Sequence, residues 1–294
     1  MPTDDTDIIR NLINAQLPND IRILDVLRTP KSFCAKTARD EVRYQYMVPS
    51  FLLATKSLVK SILKKHDCLP IPSNTTLPPI SDEKVSHLQK EFVSYRASPK
   101  EISKFSEALG SFVGTHNFHN YTSGKKAEDP SSVRYMKECK VLPAIEDKYG
   151  MEWIPTTILG QSFLLHQIRK MIFKATEVIC NDTSMTTMKD SFTVAPMRIS
   201  VVPPHGLFLD MSYYSGHNKR NKSNTPLDWH SNDTEAVQRW RKFKEQHVMT
   251  HLMDEENSQG NFIRYLYSRE YNIEHPSFPQ NSGNEQQKGN NSKE

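Results

Sequence analysis

Gly160-Gln161-Ser162-Phe163-Leu164-Leu165-His166-Gln167-Ile168-Arg169-Lys170-Met171 opens the longest apolar-periodic segment of the chain. Leu165, Ile168, Met171, Ile172, Ala175, Val178 and Ile179 recur at three- and four-residue steps, which predicts a helix after Gly160 with one face toward a core. Arg169 has Leu165 and Ile172 as its helical neighbours at i−4 and i+3, so a guanidinium stands at the shoulder of the apolar stripe. A charge in that position needs a carboxylate engaged bidentately or a phosphate from a ligand. The alternative is a snorkelling side chain whose head escapes to water, and periodicity leaves both open.

Outward from this segment, Trp153 to Leu159 reads as a strand. Pro155 makes it irregular or leaves the position without an amide at an edge. Val133 to Val141 is a second strand, and Gly114 to Ser123 a polar, aromatic loop. Ser98-Pro99-Lys100-Glu101 combines a capping serine, a first-turn proline and a glutamate three residues on, ahead of Ile102, Phe105 and Leu109, which predicts a helix. Val42, Tyr44, Tyr46 and Val48 alternate on one face of a strand, and Ile21 to Arg28 reads as another. A short helix carrying Ile8, Ile9, Leu12 and Ile13 starts at Thr6 or Asp7 and stops at Leu17-Pro18. His66 to Asp82 holds four prolines among Ser, Asn and Thr, as expected of a linker or inserted loop. Downstream, Gly206 to Met211 reads as a strand, and Glu235 to Glu255 as an outer helix with Trp240, Phe243, Val248, Leu252 and Met253. From Pro276 the composition is that of a disordered tail.

The bulk composition narrows the class. A chain of 294 residues with 36% hydrophobic and 24% charged residues can bury a core. No apolar run approaches the roughly 20 residues that cross a bilayer, so no membrane partner is expected. Cys34, Cys68, Cys139 and Cys180 are far apart and lack metal-site spacing. His247 and His251 stand at i, i+4 without a third ligand, so a solvated face is the better reading and no metal is expected. A net charge of +4 permits a polyanionic partner without requiring one. Lys125, Lys126, Arg134, Lys137, Lys140, Arg169, Lys170 and Lys174, interleaved with Phe118, Tyr121 and Tyr135, suit RNA only weakly.

Gly160, Phe163, His166 and Arg169 form a G-x-x-F segment leading into H-x-x-R, and this pattern resembles the TruA-like tRNA pseudouridine synthases. The chain is similar to their eukaryotic branch at Leu17-Pro18 with Ile21-Arg22, at Gly114 to Ser123, at Asp129-Pro130-Ser131-Ser132 and at Gly206-Leu207-Phe208-Leu209. The resemblance spans about residues 10 to 215. It implies an α+β pseudouridine synthase fold, a mixed, largely antiparallel sheet with flanking helices, whose N-terminal subdomain is incomplete. It also implies isomerisation of uridine to pseudouridine in tRNA or other RNA, without metal or cofactor. In that family an aspartate in an R-T-D-K/A-G loop attacks the target, the glycosidic bond breaks, and the uracil rotates and rejoins through carbon after being flipped out of its stack. By the resemblance, Arg169 pairs with that aspartate and Tyr44 stacks on the flipped uracil; without it, Tyr44 reads better as a core tyrosine. His116, Phe118, His119, Lys125, Lys126, Arg134, Phe163 and His166 become the expected RNA contacts. For the histidine loop a plain structural role is equally compatible with the residues. The expected location is the nucleus, with mitochondrion or cytoplasm as alternatives.

No R-T-D-K/A-G occurs in the chain. Arg28-Thr29-Pro30-Lys31 has proline where the nucleophile belongs, and it precedes Phe33-x-Ala35-Lys36, a segment that in the family falls downstream of the catalytic loop. The aspartate is therefore expected before Met1. Lys36 and the run Ser200 to His205 also depart from the family pattern. An N-terminally truncated synthase is the favoured reading, and a shortened paralogue that binds RNA without converting it is the alternative. The expected organisation is a remnant of the catalytic subdomain over 1–63 and a linker or insertion over 64–97. A C-terminal synthase subdomain over 98–214, a helical extension over 215–275 and a disordered tail over 276–294 complete it.

Overall fold

The computed structural model describes residues 6–68, 79–220, 227 and 234–270. In chain order these contain α1 (Thr6–Asn14), α2 (Ala35–Ala38), β1 (Glu41–Pro49), α3 (Lys56–Lys65), α4 (Asp82–Phe92) and α5 (Pro99–Gly110). There follow β2 (Gly114–Asn117), β3 (Val133–Val141), β4 (Ile145–Glu146), β5 (Glu152–Gly160), α6 (Gln167–Cys180), α7 (Thr186–Asp190), β6 (Leu207–Tyr213) and α8 (Ser215–Arg220). Last come α9 (Glu235–Phe243), α10 (Thr250–Gln259) and α11 (Asn261–Glu270). The strands form one sheet in the order β2-β3-β5-β1-β6, with β4 paired to β5, and every pairing is antiparallel. The α+β expectation holds.

β1 lies between β5 and β6, and this explains why its alternation is blurred: a central strand is covered on both faces. Ile158 on β5 stands opposite Tyr44, and that face carries the main core with α5 and α6. Leu159 stands opposite Arg43 on the other face, where Leu159, Met211, Tyr213 and Val237 of α9 make a smaller cluster. Pro155 sits in this central β5, not at an edge. Its carbonyl accepts from the Leu142 amide (2.8 Å), so its nitrogen faces the same side, beyond Val141 where β3 has ended. The missing donor therefore interrupts no ladder.

Three other expectations are corrected. Ile21 to Arg28 is not a strand, because both edges of β1 are occupied and its polar groups go to side chains instead. Asn14 makes paired hydrogen bonds to Ile23 (2.8 and 2.9 Å), and Arg239 Nε donates to the Leu24 carbonyl (2.8 Å). Residues 114–117 are a strand, pairing with 133–136 of β3, and only 118–123 remain a loop with a short 3-10 turn. The helix after Gly160 starts at Gln167, leaving Leu165 58% exposed before it.

The expected linker and helical extension are corrected as well. In α4 Val85, Leu88 and Phe92 are buried in the main core, so the described part of 64–97 is mostly a packed element. Residues 69–78, 271–275 and the expected tail 276–294 lie outside the described residues. α9 and α10 are joined by a π-helical turn over Lys244–Met249. α11 then places Phe262, Ile263, Tyr265, Leu266 and Tyr267 in the same core as β1 and β5. A fully buried Phe, Ile or Leu contributes roughly 1.5–3 kcal/mol, so α11 is an internal element and not an outer extension. By contrast, Ile8, Ile9, Leu12 and Ile13 of α1 are exposed.

Candidate active site

The sequence that opens this site builds a sharp turn between β5 and α6. His166 precedes the helix in the left-handed region (φ 63°), a conformation that costs a non-glycine residue about 1–3 kcal/mol and persists only where its surroundings enforce it. Its carbonyl accepts from Lys170 N (3.0 Å) as the first helical hydrogen bond. The side chain of Gln167, fully buried, accepts from Leu164 N (2.8 Å) and braces the turn from within. Gln167 lies inside the recognised motif, yet nothing in its residue type singled it out.

Arg169 projects from the first turn of α6 and is half-buried. Its Nε donates to the Val202 carbonyl (2.7 Å), and Nη1 lies 3.4 Å from His166 Nδ1. Among the described residues no carboxylate lies within ion-pair distance of it. Burial pulls the guanidinium below its ordinary value, opposed by the nearby Tyr46 and Tyr265. Burial also lowers the His166 imidazole, and the positive charges of Arg169 and Lys170 push in the same direction. His166 is thereby kept neutral, as an acceptor toward the guanidinium.

Tyr44 reaches the same place from β1. Its ring meets Phe163 edge-on, with centroids 5.4 Å apart at 89°. A bulge in the β1–β6 pairing falls between Arg43 and Tyr44, a device that re-aims side chains beside sites. Tyr46, two residues on, is fully buried and donates its hydroxyl to the Pro203 carbonyl (2.7 Å), next to the carbonyl held by Arg169. Burial raises the Tyr46 phenol well above its ordinary value, so it stays a neutral donor. The segment 202–206 is thus strapped at two successive carbonyls, Val202 to α6 through Arg169 and Pro203 to β1 through Tyr46. Gly206 is required at its end: a Cβ there would lie 2.8 Å from Tyr46 Cζ and 3.0 Å from the Met47 carbonyl oxygen.

Tyr44 thus meets Phe163, and His166 meets Arg169, along the one turn that leads from β5 into α6, and the remaining expected contacts lie elsewhere. His116 stands opposite Arg134 at the β2–β3 edge of the sheet. Its ring stacks on Phe192 (4.2 Å, 19°) and its Nε2 is 3.0 Å from the Val113 carbonyl oxygen. Phe118 is fully buried among Phe112, Tyr121 and Phe192, so it is a core residue with no face for a base. His119 is buried beside Asn117. Lys125 pairs with Asp129 (2.8 Å) and donates to Ser131 (2.6 Å), and it draws the Asp129 carboxyl down to about 2. Arg134 caps the Ser131 and Val133 carbonyls (2.5 and 2.8 Å), while Lys126 is exposed. Lys170 and Lys174 are buried, the first donating to the Asn120 and Thr122 carbonyls (3.4 and 3.2 Å), the second paired with Glu177. Their charge serves the fold. Among the described residues no cluster of His, Cys, Asp and Glu is arranged to hold a metal ion, and no helix is long and apolar enough to cross a membrane.

Residues 108–215 match a family model described as tRNA pseudouridine synthase, a span that includes Gly160 to Arg169 and leaves Tyr44 outside. The chain is 30% identical to tRNA pseudouridine synthase 1 of Candida glabrata, over 88% of this chain and 55% of that protein. It is 28% identical to the pseudouridylate synthase 1 homolog of Homo sapiens, over 88% of this chain and 53% of that protein. To the tRNA pseudouridine(27/28) synthase of Saccharomyces cerevisiae the identity is 27%, over 86% of this chain and 76% of that protein. The chain spans about half the length of most of the curated relatives it matches.

Proposed function

The chain belongs to the TruA-like tRNA pseudouridine synthase family, and we propose that it supplies the arginine and base-stacking side of a site that isomerises uridine to pseudouridine in tRNA. Tyr44 stacks on the flipped uracil, with Phe163 edge-on behind it. Arg169 receives the nucleophilic carboxylate of an R-T-D-K/A-G loop, holding it ionised and oriented. His166, neutral and in a strained backbone conformation, fixes one edge of the guanidinium.

The observation that carries this reading is the state of Arg169. Its Nε is anchored to a backbone carbonyl (2.7 Å), yet no carboxylate among the described residues neutralises it. A partly buried guanidinium held by a dipole alone is under-compensated, and an incoming carboxylate corrects that. The 294 residues contain no R-T-D-K/A-G, so this chain alone is expected to leave tRNA uridines unconverted.

The test is pseudouridine content in tRNA incubated with the 294-residue chain and with the same chain extended upstream by a segment bearing R-T-D-K-G. Conversion only by the extended protein, abolished by Arg169→Ala, is the expected result. Conversion by the 294-residue chain itself sinks the assignment of roles. Binding without conversion in both favours a noncatalytic RNA-binding paralogue.

A further inference from the structure

We infer that the outward side of α3 is a second RNA contact, a lysine track that holds backbone phosphates of a folded RNA away from the Arg169 pocket. This rests on the RNA-substrate reading above. Lys56, Lys60 and Lys64 recur every fourth residue and are all exposed, while Val59 and Leu63 bury the inner side of the helix. The three lysine positions therefore span about 12 Å along the helix axis.

Two features of this helix work against its own stability and are relieved by an anion. Like charges at i and i+4 repel, and here two such pairs follow one another with no acidic residue anywhere in α3. Lys56 also occupies the first helical position after the Thr55 cap, where the helix dipole disfavours a cation. Among the described residues none of the three lysines has a carboxylate within ion-pair distance. Lys65, on a different side of the same helix, does have one, in Glu91 (2.7 Å). At one end of the track Lys56 shares a small cavity with Glu177, Asn181 and Arg269, and Lys104 of α5 is paired with Asp182 (2.9 Å), so the unpaired positive charge is that of α3 itself.

The position of the track says what kind of RNA it fits. Arg169 is in the first turn of α6 and Cys180 is its last residue, where the thiol donates to the Leu52 carbonyl (2.9 Å), four residues before Lys56. Eleven helical steps separate them by about 17 Å. A single nucleotide bound at Arg169 does not cross that interval, whereas the arm of a folded RNA does. Phosphate contacts of this type position a nucleic acid without reading its sequence.

The test is tRNA binding by the 294-residue chain as a function of salt, comparing Lys56→Ala/Lys60→Ala/Lys64→Ala with Lys31→Ala/Lys148→Ala/Lys189→Ala, which removes the same charge elsewhere. Alanine favours the helix, so α3 is expected to stay folded. In the α3 variant the slope of log affinity against log salt is expected to become shallower by about 2–3, from about 0.7–0.9 per lost phosphate contact. Affinity at 0.1 M salt is expected to fall at least tenfold, with a smaller loss in the control variant. Unchanged slope and affinity in the α3 variant overturn the track and leave the active-site reading standing. Equal losses in both variants also overturn it, as a general charge effect. Absence of tRNA binding by the wild-type chain overturns the track and the RNA-substrate reading together. Lysine-dependent binding to phosphatidylserine vesicles without binding to tRNA assigns the surface to a membrane and overturns the proposal.

Discussion

The hydroxyl of Tyr46 donates to the carbonyl of Pro203 at 2.7 Å, and both atoms are buried one residue away from the carbonyl that anchors Arg169. Tyr46→Phe keeps the ring in place and leaves the Pro203 oxygen without its donor. A buried acceptor so orphaned costs about 1–3 kcal/mol, which urea unfolding will register as a lower midpoint at unchanged slope. An unaltered midpoint would show that the strap does not depend on this bond.

Lys125 and Lys126 are adjacent but are not equivalent. Lys126→Ala is expected to lower tRNA affinity at every sequence and to flatten the salt slope by about 0.7–0.9, as loss of one phosphate contact does. Lys125→Ala is expected to act on the loop instead, because its ammonium is engaged by Asp129 and Ser131. Filter binding across a salt series separates the two, and equal slopes for both variants would contradict this division.

Glu256 is fully buried in α10, and its carboxylate reaches the start of α11, where it accepts from Phe262 N at 2.9 and 3.1 Å, and lies 3.3 Å from His205 Nε2 outside hydrogen-bonding geometry. Burial raises its pKa, only partly offset by His205 and by the Phe262 and Ile263 amides. A carboxyl raised in the folded state binds its proton more tightly there than when unfolded. Its stabilising contribution is complete below the unfolded value near 4.5 and is lost as pH rises through the folded value. Glu256→Gln retains an acceptor for Phe262 N and removes the titration. Melting temperatures from pH 4 to 8 are expected to show wild type losing ground to this variant as pH rises. Parallel curves would rule out Glu256 as the source.

Phe262→Ala removes a ring that meets Tyr46, Trp153 and His205 in the core. A loss of about 3–5 kcal/mol is expected from chemical unfolding, the range for a large aromatic side chain deleted from a packed interior. A cost below about 1 kcal/mol would restore the picture of an outer helical extension.

Strong local signals carried much of the architecture. The capping box at Ser98 with Glu101, the alternation of β1 and the long apolar stripe of α6 each specify an element through its own residues. What could not be read was partnership. Ile21 to Arg28 has strand composition, yet a strand also needs an unoccupied edge, and Asn14 and Arg239 take its backbone groups instead. Pro155 suggested an edge because sequence does not show that β3 ends at Val141. α11 was missed because its polar residues interrupt the apolar ones, while burial from several sides dispenses with a clean stripe.

The candidate site divided along the same line. The motif brought Phe163, His166 and Arg169 to one turn, and Tyr44 joined them across the sheet. Phe118 was placed at RNA by its neighbours in sequence, but aromatic rings attract one another, and four of them close over it. The Val202 and Pro203 carbonyls that hold the site in shape are backbone atoms and leave no trace in residue type.

Because α11 completes a core begun at β1, the order of synthesis matters. At 5–20 residues per second, the 57 residues between Tyr213 and Glu270 take about 3–11 s to emerge. Throughout that interval Trp153, Tyr46 and Gly206 face an empty slot where Phe262 will sit. The nascent sheet therefore waits with this apolar surface uncovered until α11 arrives, well after its strands can pair.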